Sequence, residues 1–271
     1  MRIRRLTLVA LVLLTLLFLV DVRYLQPLVG RTGEPSIRLQ VRPLIRPGFN
    51  AEKTRVFTRP QGQLASLVLQ GSFGTVEVAS SAGDDLVVRT VITAEKEADL
   101  AGFEVVETVS DSELSYELVY TGPQPAPAAG LSYQVEVPAG MEVSVVYSYG
   151  QVEVEEFVGF LQLLTSFSQV TVRGLQGSIS VNNAYGSVEL QGIAGPLRLD
   201  NVFATSLVVL VPLDGGYSFQ VEVSHGNLLG NVTLEREMRQ NSITAQGRYG
   251  AGVHPVAINS SFGTVTLNLR P

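Results

Sequence analysis

The stretch MEVSVVYSYGQVEVEEFVGFLQLLTSFSQVTVRGLQGSISVNNAYGSVELQGIAGPLRLDNVF, residues 141–203, repeats itself every 18 residues. Tyr149, Phe167, Tyr185 and Phe203 mark the period, and a small residue follows each: Gly150, Ser168, Gly186, Ala204. Gly159, Gly177 and Gly195 mark the same period half a repeat away. Apolar-x-apolar triplets start at Val152, Leu161, Val170, Ile179, Val188 and Leu197, so a weaker repeat of 9 lies inside the repeat of 18.

Alternation within each triplet is the period of a strand with one apolar face. Short strands separated by Gly, Asn and Asp are strands separated by turns. A fixed period of this length gives a coil that buries its apolar side against its neighbours. The sequence therefore predicts an all-β solenoid, β-helix-like, with about 18 residues and two strands per coil. A β-sandwich is the alternative, because periodicity shows strands and not how they wind. Asn182-Asn183 and Asp200-Asn201 are expected at one tight corner, since Asn and Asp tolerate the left-handed conformation. Phe157, Leu175 and Ile193 are expected to stack inside the other corner, and the aromatics to form a second ladder. The middle residues of the triplets should face solvent: Glu153, Thr171 and Glu189 along one side, Gln162, Ser180 and Arg198 along the other.

The 271 residues contain no cysteine, which excludes disulfides, thiolate metal sites, a cysteine nucleophile and a lipidated cysteine. Charge is uneven. Residues 1–60 hold 11 Lys/Arg and 3 Asp/Glu, a net of +8, whereas residues 61–271 hold 8 and 22, a net of −14. An acidic body repels nucleic acid, so none is expected as a partner. Arg2, Arg4 and Arg5 precede Leu6–Val20, which is uncharged and almost wholly apolar. That is the pattern of an export signal. As a helix, Leu6–Val20 would span about 22 Å against a hydrocarbon core of about 30 Å, which favours cleavage; no small-x-small site follows, which favours an uncleaved anchor. The expectation is a signal anchor or signal peptide over 1–25, with membrane contact through Leu6–Val20 and an extracytoplasmic body. Secretion after cleavage is the alternative. Residues 26–60, rich in Arg and Pro, read as a stalk.

Residues 61–271 read as the repeat domain. Its first unit is Leu67–Val78, and Tyr133–Pro138 is a strand that ends at its proline. Beyond Phe203 the period slips: the unit returns at Phe219–Leu228, with His225 in the aromatic slot, and at Val256–Leu267. Asn231–Val253 reads as an insertion or lid-like loop, and the last strand is expected at or near one end of the stack.

Tyr-x-Val-x-Val-Pro at Tyr133–Pro138, together with Ser-x-Gly-x-Val units at Ser72–Val76, Ser148–Val152, Ser224–Leu228 and Ser261–Val265, resembles the bacterial "putative adhesin" family, also called the toastrack domain. Ser166–Val170 and Ala184–Val188 are degenerate copies. The likeness covers roughly residues 61–271. It implies an all-β repeat domain, often attached to a membrane anchor and linked to envelope stress systems. It carries over no catalytic residue.

Chemistry-bearing constellations are sparse. Glu153 and Glu189 lie two coils apart on one row, about 10 Å at 4.8 Å per coil. That is slightly beyond the ~6.5–9.5 Å of an inverting glycosidase pair. His225 and His254 are the only histidines, too few for a zinc site without a third ligand elsewhere. No metal or cofactor is expected. The expected function is non-catalytic binding, scaffolding or sensing at the cell envelope, with the six outward residues as its face and an envelope protein or wall polysaccharide as partner. A self-associating structural module and a carbohydrate-active enzyme are the alternatives.

Overall fold

The computed structural model describes residues 48–270. The signal anchor or signal peptide expected at 1–25 and residues 26–47 of the expected stalk lie outside the described residues.

The regular stretch forms β8 (Glu142–Ser148), β9 (Gln151–Glu155), β10 (Val158–Ala194) and β11 (Leu197–Leu210). β10 is one extended run that turns corners at Phe167, Gly174–Gly177 and Tyr185 and spans two coils. Neighbouring coils pair in parallel with an offset of 18 residues: Leu161 opposite Val143, Val170 opposite Val152, Ile179 opposite Leu197 and Val188 opposite Ser206. Each coil thus contributes one strand to each of two facing sheets. The triplets point inward, and Val152, Leu163, Val172, Val181 and Leu199 are completely buried between the sheets.

The two corners are made differently. At the first, Phe157, Leu175 and Ile193 are fully buried, as the period requires. Gly177 (φ 134°) and Gly195 (φ 157°) lie so close to the next coil that a Cβ on either would overlap the carbonyl oxygen of Gly159 or Gly177. At the second, the left-handed residue is the aromatic itself: Tyr149 (φ 57°), Phe167 (52°), Tyr185 (58°) and Phe203 (53°). After Tyr149 and Tyr185 the glycine has the same cause, since a Cβ on Gly150 or Gly186 would overlap the carbonyl of Gly74 or Ser168, whereas Ser168 and Ala204 carry a small side chain at the equivalent positions.

The asparagines do not make this corner. Asn183 and Asn201 continue the inward alternation of Ile179/Val181 and Leu197/Leu199 and are 1% exposed. The Thr165 hydroxyl donates to Asn183 Oδ1 (2.9 Å), Asn183 Nδ2 to Asn201 Oδ1 (2.9 Å), and Asn201 Nδ2 to the Ala204 carbonyl (3.1 Å). A buried amide is tolerated where the same group repeats one coil away and satisfies it.

The coils do not stack in chain order at the ends. β2 (Ser66–Ser72) and β3 (Thr75–Ser80) form the coil beneath β8 and β9, so the chain leaves the stack for about 60 residues and then returns beside its first coil. The departing segment contributes β4 (Asp85–Ala94), α1 (Glu97–Leu100), β5 (Phe103–Ser110), β6 (Glu113–Tyr120) and β7 (Ala129–Val137). β6 extends one sheet beside β2, and β7 extends the other beside β3. The last ten residues assigned above to the stalk are strand β1 (Ala51–Pro60), paired antiparallel with β4, so the domain begins earlier than residue 61.

At the far end, β16 (His254–Ser261) and β17 (Thr264–Leu269) insert between β11 and the coil of β12 (Tyr217–Ser224) and β13 (Asn227–Gly230). The chain's last strand is therefore internal to the stack rather than at its end. The segment read as a lid-like loop is a hairpin, β14 (Glu235–Arg239) and β15 (Ser242–Tyr249), which continues one sheet antiparallel to β12. Every residue of β14 is exposed, with Glu235, Arg236, Glu237 and Arg239 along the terminal edge. Charge on an edge strand opposes pairing with another chain.

Candidate functional site

The six outward residues fall on two faces. Glu153 and Thr171 are register partners on one sheet, with Glu189 a coil further on. Ser180 and Arg198 are register partners on the other, with Gln162 one coil before them. Gln162 and Arg198 are exposed, and Ser180, Glu153 and Glu189 are half-buried. Thr171 departs from the expected pattern at 5% exposure. It belongs to an outward row, as a short side chain in register between two glutamates.

Both faces are laced by polar contacts between rows. Arg173 Nη1 lies 3.5 Å from its register partner Glu155. Arg198 Nε donates to Asp200 (2.8 Å), and Asn259 Nδ2 donates to the same carboxylate (2.7 Å). Gln191 Nε2 donates to Glu189. Glu153 and Glu189 are separated by the intervening Thr171 strand, and Glu189 is tied to Gln191 rather than facing Glu153 across open space.

The aromatic residues form a continuous outward stack along the second corner. In order it runs Phe73, Tyr149, Phe167, Tyr185, Phe203, Phe262 and His225. Centroids lie 4.6–5.1 Å apart, and adjacent planes are within 12°. Phe73, Phe203, Phe262 and His225 are exposed. Every member has positive φ. The ring faces cover one another, so solvent meets mainly ring edges, whereas a sugar stacks on a ring face. Holding a non-glycine residue left-handed costs roughly 1–2 kcal/mol. An aromatic pair returns about 0.5–1.5 kcal/mol beyond its burial. The two terms nearly cancel, so the ladder fixes register more than it adds stability. His225 occupies its end over Phe262, and His254 lies near Tyr217 (5.9 Å). The two histidines thus have separate aromatic neighbours. Among the described residues no group of three metal-ligating side chains converges.

Four buried tyrosines strut the irregular joints. The Tyr133 hydroxyl donates to the Gln70 carbonyl (2.7 Å) and lies 3.1 Å from the Tyr116 carbonyl, bringing β7 against β2 and β6 across the two sheets. This explains the tyrosine of the Tyr-x-Val-x-Val-Pro motif. Tyr147 donates to Leu131 (2.6 Å), and Tyr217 to Val211 (2.7 Å). Tyr116 donates to Glu107 (2.8 Å), which also holds Arg59. Burial pushes the Tyr133, Tyr116 and Tyr217 phenols up, and at Tyr116 the Glu107 carboxylate adds to the rise.

Two clefts lie at the ends of the stack. One, of about 310 Å³, is lined by Asn50, Glu95 and Leu100 among others; the second, of about 470 Å³, lies beside the end of β15. Neither includes any of the six outward residues. Arg248 and Arg270 in the second cleft escaped the sequence reading because they are 22 residues apart and on different strands.

No protein-family pattern matches the chain, and no curated protein matches it. Solved structures do. A "putative cell adhesion protein" from Clostridium sporogenes is 13% identical with a TM-score of 0.43, over 81% of this chain and 100% of that one. A "putative adhesin" from Parabacteroides merdae is 10% identical with a TM-score of 0.30, over 81% and 97%. A "putative lipid binding protein" from Parabacteroides distasonis is 11% identical with a TM-score of 0.28, over 83% and 98%.

Proposed function

We propose that the protein is a non-catalytic binding module of the bacterial envelope that holds a protein or wall polysaccharide against an outward face of its coils. The observation that carries this reading is the construction of those faces. Strands locked in 18-residue register present fixed rows of polar side chains, while the two clefts lie elsewhere. A rigid repeated surface recognises an extended partner without closing around it. Gln162, Ser180 and Arg198 form one candidate face, and Glu153 and Glu189 with the buried Thr171 form the other. Membrane attachment through Leu6–Val20 and an extracytoplasmic body belong to the same reading.

The test is photo-crosslinking in the native host, with the reactive residue at Gln162 or Arg198 on one face and Glu153 or Glu189 on the other. A discrete protein or glycan adduct from one face is expected. Adducts only between copies would favour the self-associating module. Cleavage of a wall polysaccharide by the purified chain, lost in Glu153→Gln or Glu189→Gln, would replace the binding reading with an enzyme.

A further inference from the structure

Cations are concentrated where the acidic body ends. Residues 61–210 hold 4 Lys/Arg and 18 Asp/Glu, a net of −14, whereas residues 211–271 hold 4 and 4, a net of zero. Two of those last four cations, Arg248 and Arg270, line the 470 Å³ cleft. None of its described lining residues is acidic. Arg55, Arg59, Arg173, Arg198 and Arg239 each have a carboxylate within 4 Å, but Arg248 and Arg270 have none among the described residues.

The cleft is also built. Its walls come from the ends of β11, β15 and β17 and from the link between β13 and β14. Asn231 pins two of these segments together: its Nδ2 donates to the Leu269 carbonyl (3.1 Å), and the Leu269 N–H donates to its Oδ1 (2.8 Å). The Arg270 N–H donates to the Leu210 carbonyl (3.0 Å). The stem of Arg248 lies flat on Gly252, where a Cβ would come within 2.9 Å of its Cγ, Cδ and Nε. The Arg248 stem and the Arg270 backbone are thus held in place. Between them the walls are apolar, from Pro212, Val232 and Leu269, with the Tyr249 ring half in solvent.

We infer that this cleft binds a small anionic ligand, a carboxylate or phosphate carried on a ring or short apolar body. A guanidinium matches either oxyanion through paired N–H donors. The volume is that of a small-molecule site rather than of a polymer groove. The site is independent of the outward faces, so either reading stands if the other falls.

The test is isothermal titration of the full chain at low salt with inorganic phosphate, glucuronate and benzoate. Saturable one-to-one binding of at least one probe is expected. Arg248→Gln/Arg270→Gln should weaken it by about tenfold or more, as loss of a charge-assisted hydrogen bond does. Arg173→Gln, which removes a paired surface charge elsewhere, should leave it unchanged. Both arginines of the double variant are exposed, and retained cooperative unfolding confirms that it folds. Preference for benzoate would assign an aromatic body, preference for glucuronate a saccharide, and equal binding of phosphate a bare oxyanion. No saturation by any probe at millimolar concentration would overturn the inference. So would undiminished binding by the double variant, or an equal loss in Arg173→Gln.

Discussion

Between Met141 and Leu210 each coil rests on the coil before it in the chain, and the same residue types recur at the same corners. At the two ends this order fails. The first coil, β2–β3, waits for the chain to return after four strands and a short helix, and the last coil, β16–β17, slides between two earlier ones. The middle is stabilised by repetition: glycine over glycine, asparagine over asparagine, ring over ring. The ends have no next coil to supply those partners. They are closed by single-use devices: tyrosine struts, the Arg59–Glu107–Tyr116 contact, and charged edge strands. A solenoid needs such capping because an identical terminal coil would leave its apolar face and strand edges open.

The comparison breaks most severely if the coil spacing in the middle is violated. Gly195→Ala puts a Cβ into the Gly177 carbonyl and should cost about 4 kcal/mol or more. Gly192→Ala, whose Cβ would meet nothing nearer than 3.3 Å at φ 68°, should cost only the left-handed penalty of roughly 1–2 kcal/mol. Denaturant unfolding of both variants separates close approach from backbone strain, and equal losses would contradict the account.

The polar ladder comes next. Asn201→Ala leaves Asn183 Nδ2 without its acceptor in a buried column, at about 2 kcal/mol. A loss within a few tenths of zero would mean that water replaces it.

At the end of the stack, the raised phenols predict alkaline sensitivity. A tyrosine kept neutral by burial stabilises the fold fully below its unfolded pKa near 10. That contribution falls by about 1.4 kcal/mol per pH unit above it, as the unfolded chain ionises and the folded one does not. Stability should therefore drop steeply above about pH 10, and Tyr133→Phe should make the drop shallower. An unchanged slope in that variant would remove Tyr133 as a source.

The smallest effect sharpens the reading of the ladder. Tyr185→Gly relieves the left-handed strain while losing the stacking, so it should change stability by less than about 1 kcal/mol. Tyr185→Ala keeps the strain and loses the stacking, so it should be clearly worse. The reverse order would mean that the rings carry the stability.

The middle was legible because its causes recur. Inward alternation placed the core, and the recurring glycines placed the first corner. The same alternation also reaches Asn183 and Asn201, which follow Val181 and Leu199 by two, and it would have put them inside. Turn propensity pointed the other way and was overridden by the neighbouring coil's amide. The aromatic slot stands in inward phase too, and only the left-handed φ turns the ring out, which no pattern of residue types announces. Thr171 was misplaced because the polarity of a side chain does not by itself set its exposure. The order of the end coils was illegible for a different reason. A repeat unit carries the information to stack, but not which neighbour it stacks on, and the choice is made by long-range closure. The arginine cleft depends on that choice, because β15 and β17 meet there only through the inserted last coil.

The most direct test of the account is therefore the order of the coils at the far end. The chain has no cysteine, so introduced pairs report cleanly. Leu207 and Thr266 are register partners on adjacent strands, and Thr266 lies between Leu207 and Leu229. Adjacent strands stand about 4.8 Å apart, inside the roughly 4.4–6.8 Å that a disulfide spans between Cα atoms, and two spacings exceed it. On mild oxidation, Leu207→Cys/Thr266→Cys should close a disulfide and Leu207→Cys/Leu229→Cys should not. Closure of the second pair and not the first would mean that the coils stack in chain order, and the far end would have to be rebuilt.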